Sequence, residues 1–151
     1  KADRMTRIAA AALFALLNNP TISFAEMLKA GDLHITDQWV REAPKSAKTG
    51  AGYLTIKNNG TVSDVLFGVE ADFPRVMIHG TKIESGVKKM YHVDNIAIDA
   101  GQTVALQLGG FHIMFMGLDG TGLPAGGSVT ATLNFKNSGG VEVSFPIRPI
   151  N

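Results

Sequence analysis

Residues 109–116 place soft metal-binding side chains at alternate positions of the chain. Side chains of an extended strand point alternately to two faces, so His112, Met114 and Met116 share one face. The other face carries only aromatic and branched apolar residues, which favour a buried core. An imidazole beside two thioethers is a soft donor set that suits Cu(I). Methionine on a strand is also an ordinary core residue, so this segment alone leaves packing and metal binding both open.

A histidine and a methionine further upstream complete a regular pattern. His79 is followed after ten residues by Met90, then after twenty-one residues by His112 and after one more by Met114. This H-x10-M-x21-H-x-M spacing resembles that of the PCuAC family of periplasmic copper chaperones. The similarity extends over about residues 32–147. The best-matching flanking segments are residues 39–44, 52–58, 117–118 and 133–135.

The resemblance implies a ligand set, a fold and a function. It implies that His79, Met90, His112 and Met114 bind copper together in an all-β, cupredoxin-like antiparallel β-sandwich or barrel. It also implies delivery of Cu(I) to respiratory cytochrome c oxidase, especially to its dinuclear copper centre. The expected partner is the copper-bearing oxidase subunit or another copper chaperone. Copper buffering, or delivery to another cuproprotein, would use the same residues and stays open.

These ligand types suit copper exchange in an oxidising compartment. A thioether loses no proton before it binds a metal, so its coordination tolerates mild acidity better than a thiolate site does. The two imidazoles raise the affinity and could also hold Cu(II). Their protonation near about pH 6.5 should weaken binding in acid. A site without cysteine avoids loss of its ligands to disulfides, although its methionines can be oxidised to sulfoxides.

Three further side chains adjoin this set in sequence. Met77 and Met116 each lie two residues from a predicted ligand, and we expect them to pack around the site. Many PCuAC proteins have another methionine two residues before the position of Met90, where this chain has Lys88. His92, which follows Met90 by two residues, adds an imidazole instead. We expect His92 to support the site or to lie at the surface rather than to bind the metal.

Two other classes of function compete with copper binding. His79, His92 and His112 could form the three-imidazole site of a zinc or copper enzyme. No carboxylate is clearly placed as a general base, and the methionines would have no role, so we predict that the protein is not an enzyme. The other class is a metal-free sandwich used for adhesion or interaction. No nucleophile-elbow motif of the Ser–His–Asp hydrolases is present, so the sequence gives no support for that chemistry.

Composition narrows the possibilities further. The 151 residues suggest one domain, and a formal net charge of +1 gives no electrostatic case for nucleic-acid binding. The absence of cysteine excludes disulfides, thiolate zinc sites, thiol catalysis and the Cys ligand of a blue-copper centre. The 17 glycines and the low charged fraction of 18% favour a β-rich domain with many tight turns.

The N-terminal stretch, residues 1–25, has the pattern of a secretory signal peptide. Two arginines precede the apolar run 8–17, and small residues precede a plausible cleavage point after Ala25. The run is too short to span a bilayer comfortably. We therefore predict a cleavable helical signal segment, then a periplasmic copper-binding β-sandwich domain over residues 26–151 with no membrane span. The first four residues precede Met5, the expected initiator, and are predicted to be an appended or upstream-translated sequence.

Short alternating segments punctuated by Gly, Asn, Asp or Pro predict a sandwich or barrel of strands. The predicted strands are residues 33–40, 51–58, 64–69, 75–81, 88–93, 103–108, 111–116, 128–135 and 141–147. Residues 26–30 are expected to form at most a turn. We expect the connection 82–87 to lie near the metal, because His79 is predicted near the end of one strand and Met90 near the start of the next.

Overall fold

The computed structural model describes residues 27–150, and within this range the chain forms strands and turns but no helix. The strands are β1 (Leu28–Ala30), β2 (Leu33–Arg41), β3 (Thr49–Asn58), β4 (Asp64–Ala71), β5 (Arg75–Glu84), β6 (Val87–His92), β7 (Ile96–Ile98), β8 (Thr103–Leu106), β9 (His112–Met116), β10 (Ser128–Phe135) and β11 (Gly139–Arg148). The predicted all-β class is confirmed. The predicted signal segment lies outside the described residues, and within them no helix could cross a membrane.

The strands form one mostly antiparallel sheet that folds over on itself into a cupredoxin-like sandwich. Hydrogen-bonded neighbours follow the order β6-β5-β9-β3-β2-β11-β10-β4-β7, with β1 paired to β2 and β8 paired to β3. The two halves of the sheet meet at β11, which pairs with β10 along its length and runs parallel to β2 only at its end. Inward side chains of both halves then share one core.

Alternation along the strands sorts side chains between the core and the outside. On β10, every second residue from Val129 to Phe135 is buried, as the sequence predicts. On β9, Ile113 and Phe115 are fully buried. Each such side chain removed from water contributes about 1.5–3 kcal/mol, which fixes the face of β9 that enters the core. The predicted ligands His112 and Met114 therefore lie on its other face.

Three expectations about local structure are wrong. Residues 26–30 were expected to form at most a turn, but β1 pairs with β2 there, and β7 was not predicted. Strands of three residues are too short for alternation to reveal them. Strands β5 and β6 extend into the predicted connection 82–87 and leave only Ser85-Gly86 as the turn, with φ of 52° and 78°. This turn lies beyond the Glu84–Val87 pair, three pairs past Met90, and therefore away from the predicted ligands.

Candidate metal centre

The predicted histidine ligands lie on two adjacent strands, β5 and β9. Antiparallel register places His79 of β5 directly opposite His112 of β9. On the other side of β5, the same residue lies opposite His92 of β6. Directly opposite residues project to the same face of a sheet, so these three imidazoles form a row across three strands.

The predicted methionine ligands lie on the same face as this row. Met114 follows His112 by two residues on β9, and Met90 precedes His92 by two residues on β6. Met90, His112 and Met114 line one open groove of about 410 Å³. Met90 is 65% exposed, whereas Met114 is half-buried. A metal held here would therefore be reachable from solvent on the side of Met90.

The ring of His112 is held so that one nitrogen keeps a free lone pair. Its Nδ1 lies 3.1 Å from the carbonyl oxygen of Gly110. A carbonyl can only accept a hydrogen bond, so Nδ1 carries the proton and Nε2 is the unprotonated nitrogen. Nε2 is buried and has no hydrogen-bond partner among the described residues. This is the arrangement in which a histidine binds a metal through one nitrogen while a carbonyl orients the ring through the other.

A tight turn between β8 and β9 supplies the orienting carbonyl. The backbone N–H of Gly110 donates to the carbonyl of Gln107 at 2.9 Å. Gly109 has φ of 82°, a left-handed conformation that glycine adopts without a steric penalty. The paired glycines before the Phe-His sequence therefore serve to orient an imidazole, and the turn leads into a strand rather than the helix of a phosphate-binding loop.

His79 has a similar unpartnered nitrogen. Its Nδ1 is buried and has no hydrogen-bond partner in the part of the chain that the structure describes. Burial lowers the pKa of His79, and the neighbouring His112 and His92 lower it further. A lowered pKa favours the neutral ring, which is the form that binds metals. The rings of His79 and His112 have centroids 6.0 Å apart and are nearly perpendicular, at 78°.

This separation is compatible with a shared metal ion. Metal–nitrogen bonds of about 2.0–2.1 Å place the centroids of two imidazoles on one ion roughly 5–6 Å apart. The 6.0 Å separation of the His79 and His112 centroids lies at the upper end of this range. His79 does not itself line the groove of Met90 and Met114, but its row partner His112 does.

His92 lies on the outer side of His79, with ring centroids 6.2 Å apart. Its Nε2 lies 2.9 Å from Oδ1 of Asp94, and its side chain is 47% exposed. Strand β5 lies between the strands of His92 and Met114. The expected role of His92 as a supporting residue stays a prediction. Among residues 27–150, no group of three or more His, Cys, Asp or Glu side chains is placed to hold a metal ion. The three-imidazole enzyme site therefore gains no support.

The expected neighbours of the site are half-buried. Met77 lies opposite Met114, and Met116 lies opposite Arg75, both across the β5–β9 pairing. The sequence interpretation did not include Asp94 or the carbonyl of Gly110 in the surroundings of the imidazoles. Asp94 follows His92 by two residues, and this spacing could have predicted a carboxylate near that ring.

Comparisons with known proteins agree with this description of the fold. The PCuAC domain of PmoF1, solved without metal, has a TM-score of 0.70 at 23% identity and covers 83% of this chain and 100% of that domain. The copper-bound PCuAC domain of PmoF2 has a TM-score of 0.67 at 22% identity, covering 83% and 99%. Cu(I)-bound DR1885 from Deinococcus radiodurans has a TM-score of 0.56 at 27% identity, covering 82% and 81%. The fold is therefore that of PCuAC domains, as the motif predicted.

Sequence comparison identifies the family. The protein named "Putative lipoprotein Lxx21020" from Leifsonia xyli subsp. xyli (strain CTCB07) is 28% identical over 122 residues, which cover 80% of this chain and 72% of that protein. The model of the family described as "Putative lipoprotein LpqE-like" matches residues 33–147. This match spans the sandwich from β2 to β11, and the chain belongs to the LpqE-like family.

Proposed function

We propose that this protein is an exported carrier of Cu(I) that binds the metal through His79, Met90, His112 and Met114. The observation that carries the proposal is the pair of buried nitrogens without hydrogen-bond partners among the described residues, Nδ1 of His79 and Nε2 of His112. They belong to directly opposed residues, and His112 shares one groove with the thioethers of Met90 and Met114. An unsatisfied buried polar atom costs about 1–3 kcal/mol. A bound soft cation would remove that cost by accepting both lone pairs.

The exposure of the site favours a carrier over a permanent store. Met90 is mostly exposed and lies on the outermost strand of its half of the sheet. All four proposed ligands are uncharged when they bind, so an acceptor that offers thiolates would compete successfully for Cu(I). Copper could then leave by stepwise replacement of ligands, beginning with the exposed thioether of Met90.

The relatives and the N-terminal sequence support the proposed cargo and location. Copper-bound forms are known for two proteins that share this fold, the PCuAC domain of PmoF2 and DR1885. The names of the family and of the bacterial relative describe lipoproteins, and residues 1–25 have the pattern of an export signal. We propose that the sandwich acts in the periplasm and that its acceptor is the dinuclear copper centre of cytochrome c oxidase.

An anaerobic competition titration with Cu(I) tests the binding site. The wild type should bind one Cu(I), and the double variant Met90→Leu, Met114→Leu should bind it at least about a hundredfold more weakly, or about 2.7 kcal/mol. Leucine nearly conserves the volume of methionine, so the fold should persist. Met116→Leu is the matched control and should leave the affinity within about threefold. Absence of Cu(I) binding by the wild type, or an unchanged affinity in the double variant, would contradict the proposal.

A transfer assay tests the proposed acceptor. Protein loaded with Cu(I) is mixed with the soluble copper-bearing domain of the oxidase, and formation of the dinuclear centre is followed by its visible absorption. Transfer that depends on Met90 and Met114 is the expected result. Tight Cu(I) binding without any transfer would favour copper buffering instead.

A further inference from the structure

The row of imidazoles continues past the proposed metal site to the outer edge of the sheet. Strand β6 is the terminal strand on this side, and all six of its residues are exposed. His79 lies between His112 and His92, with centroid separations of 6.0 and 6.2 Å. The spacing that fits an ion shared by His79 and His112 therefore fits, nearly as well, an ion shared by His79 and His92.

We infer that His92 is a transient copper ligand through which Cu(I) moves between the proposed site and the edge of the sheet. This inference rests on the proposed function. Copper would keep its bond to His79 while the bond to His112 breaks and a bond to His92 forms. Each bond uses a nitrogen lone pair, the metal stays Cu(I) throughout, and no proton or electron is transferred to an outside reactant.

The surroundings of His92 fit this role. The carboxylate of Asp94 lies 2.9 Å from Nε2, and an ionised carboxylate can only accept a hydrogen bond. Nε2 therefore carries the proton, and Nδ1 keeps the lone pair that binds a metal. A carboxylate bonded in this way fixes the orientation of the ring. Met90 lies on the same exposed face of β6, two residues away, and offers a thioether to the same ion.

The position of His92 also explains why it would act transiently. His92 and His112 lie on opposite sides of His79, two strand spacings apart, which is about 9.5 Å. Unlike Met90, His92 does not line the groove of His112 and Met114, so an ion held in that groove would not be bonded to His92. The imidazoles form two overlapping pairs that share His79, rather than one three-imidazole site.

The variant His92→Gln tests the inference, with His34→Gln on β2 as the control for loss of an imidazole elsewhere. We would measure the Cu(I) affinity by competition titration. Stopped flow would give the rate of Cu(I) transfer to a bidentate diimine chelator whose Cu(I) complex is coloured. His92→Gln should keep the affinity within about threefold and slow the transfer by about tenfold, which corresponds to about 1.4 kcal/mol. His34→Gln should change neither quantity.

A second variant keeps the test decisive if His92→Gln disturbs the edge strand. Asp94→Asn leaves the imidazole in place but removes the carboxylate that orients it, and should slow transfer by a smaller factor. Wild-type transfer rates in both variants would overturn the inference while leaving the proposed site intact. A loss of affinity in His92→Gln as large as in the Met90, Met114 double variant would also overturn it, because His92 would then be a permanent ligand. Failure of the wild type to bind Cu(I) would instead remove the proposed function itself.

Discussion

Two buried polar side chains of this sandwich, Asp64 and His112, differ in how fully they are hydrogen-bonded. Asp64, at the start of β4, is 4% exposed, and His112, at the start of β9, is 5% exposed. The Asp64 carboxylate accepts backbone N–H bonds from Val65, Asn137 and Ser138 and a hydroxyl bond from Ser138. His112 has a partner for one ring nitrogen, and its other nitrogen has none among the described residues.

The difference separates a group that holds the fold together from one that is available to a ligand. Burial alone would raise the pKa of Asp64, but the bonds from Ser138, Asn137 and Val65 together hold that pKa below 3.8. These bonds tie the β10–β11 turn to β4. The free nitrogens of His79 and His112 bond no other part of the described chain and add nothing comparable to the fold. A polar atom that is buried without a partner usually has a functional explanation.

The largest expected effect is on copper binding, in the double variant His79→Leu, His112→Leu. The Cu(I) affinity should fall by at least about a thousandfold, or about 4 kcal/mol. The free energy of unfolding of the metal-free protein should change by no more than about 1 kcal/mol, because removal of two unsatisfied nitrogens offsets loss of the His112 Nδ1–H bond to the Gly110 carbonyl. Competition titration and urea unfolding measure the two quantities. A large loss of stability with little loss of affinity would mean that the imidazoles hold the fold.

The reverse result is expected for Asp64→Asn. An amide nitrogen would face the donors that now bond a carboxylate oxygen, so the free energy of unfolding should fall by about 2–3 kcal/mol. The Cu(I) affinity should stay within about threefold, because Asp64 lies on the opposite half of the sheet from β5 and β9. Urea unfolding and competition titration check both values. A selective loss of copper binding in this variant would remove the distinction between the two regions.

Sequence reasoning proposed a set of candidate ligands but gave no sign of the hydrogen-bonded region around Asp64. The candidate ligands came from the alternation along β9 together with the resemblance of the H-x10-M-x21-H-x-M spacing to that of the PCuAC family, and their binding of copper stays a prediction. The role of Asp64 was not predictable, because its partners Asn137 and Ser138 lie 73 and 74 residues away in the chain. The pairing of His79 with His92 depends on the length of the β5–β6 hairpin, which local pattern did not determine. Tertiary register decides such contacts.

The pH dependence of stability should report the ionisation of Asp64. The pKa of Asp64 is lower in the folded protein than its ordinary value of 3.8. Its ionised form therefore contributes stability in full above that pH, and the contribution is lost as the pH falls through the folded-state pKa. The difference in unfolding free energy between the wild type and Asp64→Asn should shrink as the pH is lowered below 3.8. A difference that stays constant or grows there would contradict the assignment.

The smallest changes in stability and in Cu(I) affinity are expected for Gly80→Ala, next to His79. A Cβ at this position would lie 2.5 Å from a ring carbon of Tyr91, whose ring covers the glycine. Tyr91 is 40% exposed and can move aside, so Gly80→Ala should cost at most about 1 kcal/mol of stability. Because Met90 adjoins Tyr91, the Cu(I) affinity should fall by about threefold, or about 0.6 kcal/mol. A loss of Cu(I) affinity as large as that of the histidine double variant would show that the β5–β6 hairpin, rather than the proposed ligands, controls copper binding.

X-ray absorption at the copper edge of anaerobically loaded protein would identify the donor atoms bound to copper. We expect a Cu(I) edge with a low coordination number and with both nitrogen and sulfur scatterers, drawn from two imidazoles and two thioethers. The sulfur contribution should disappear in the Met90→Leu, Met114→Leu variant. A spectrum of the wild type with nitrogen and oxygen scatterers alone would contradict the proposed ligand set, because copper would then be bound without the methionines.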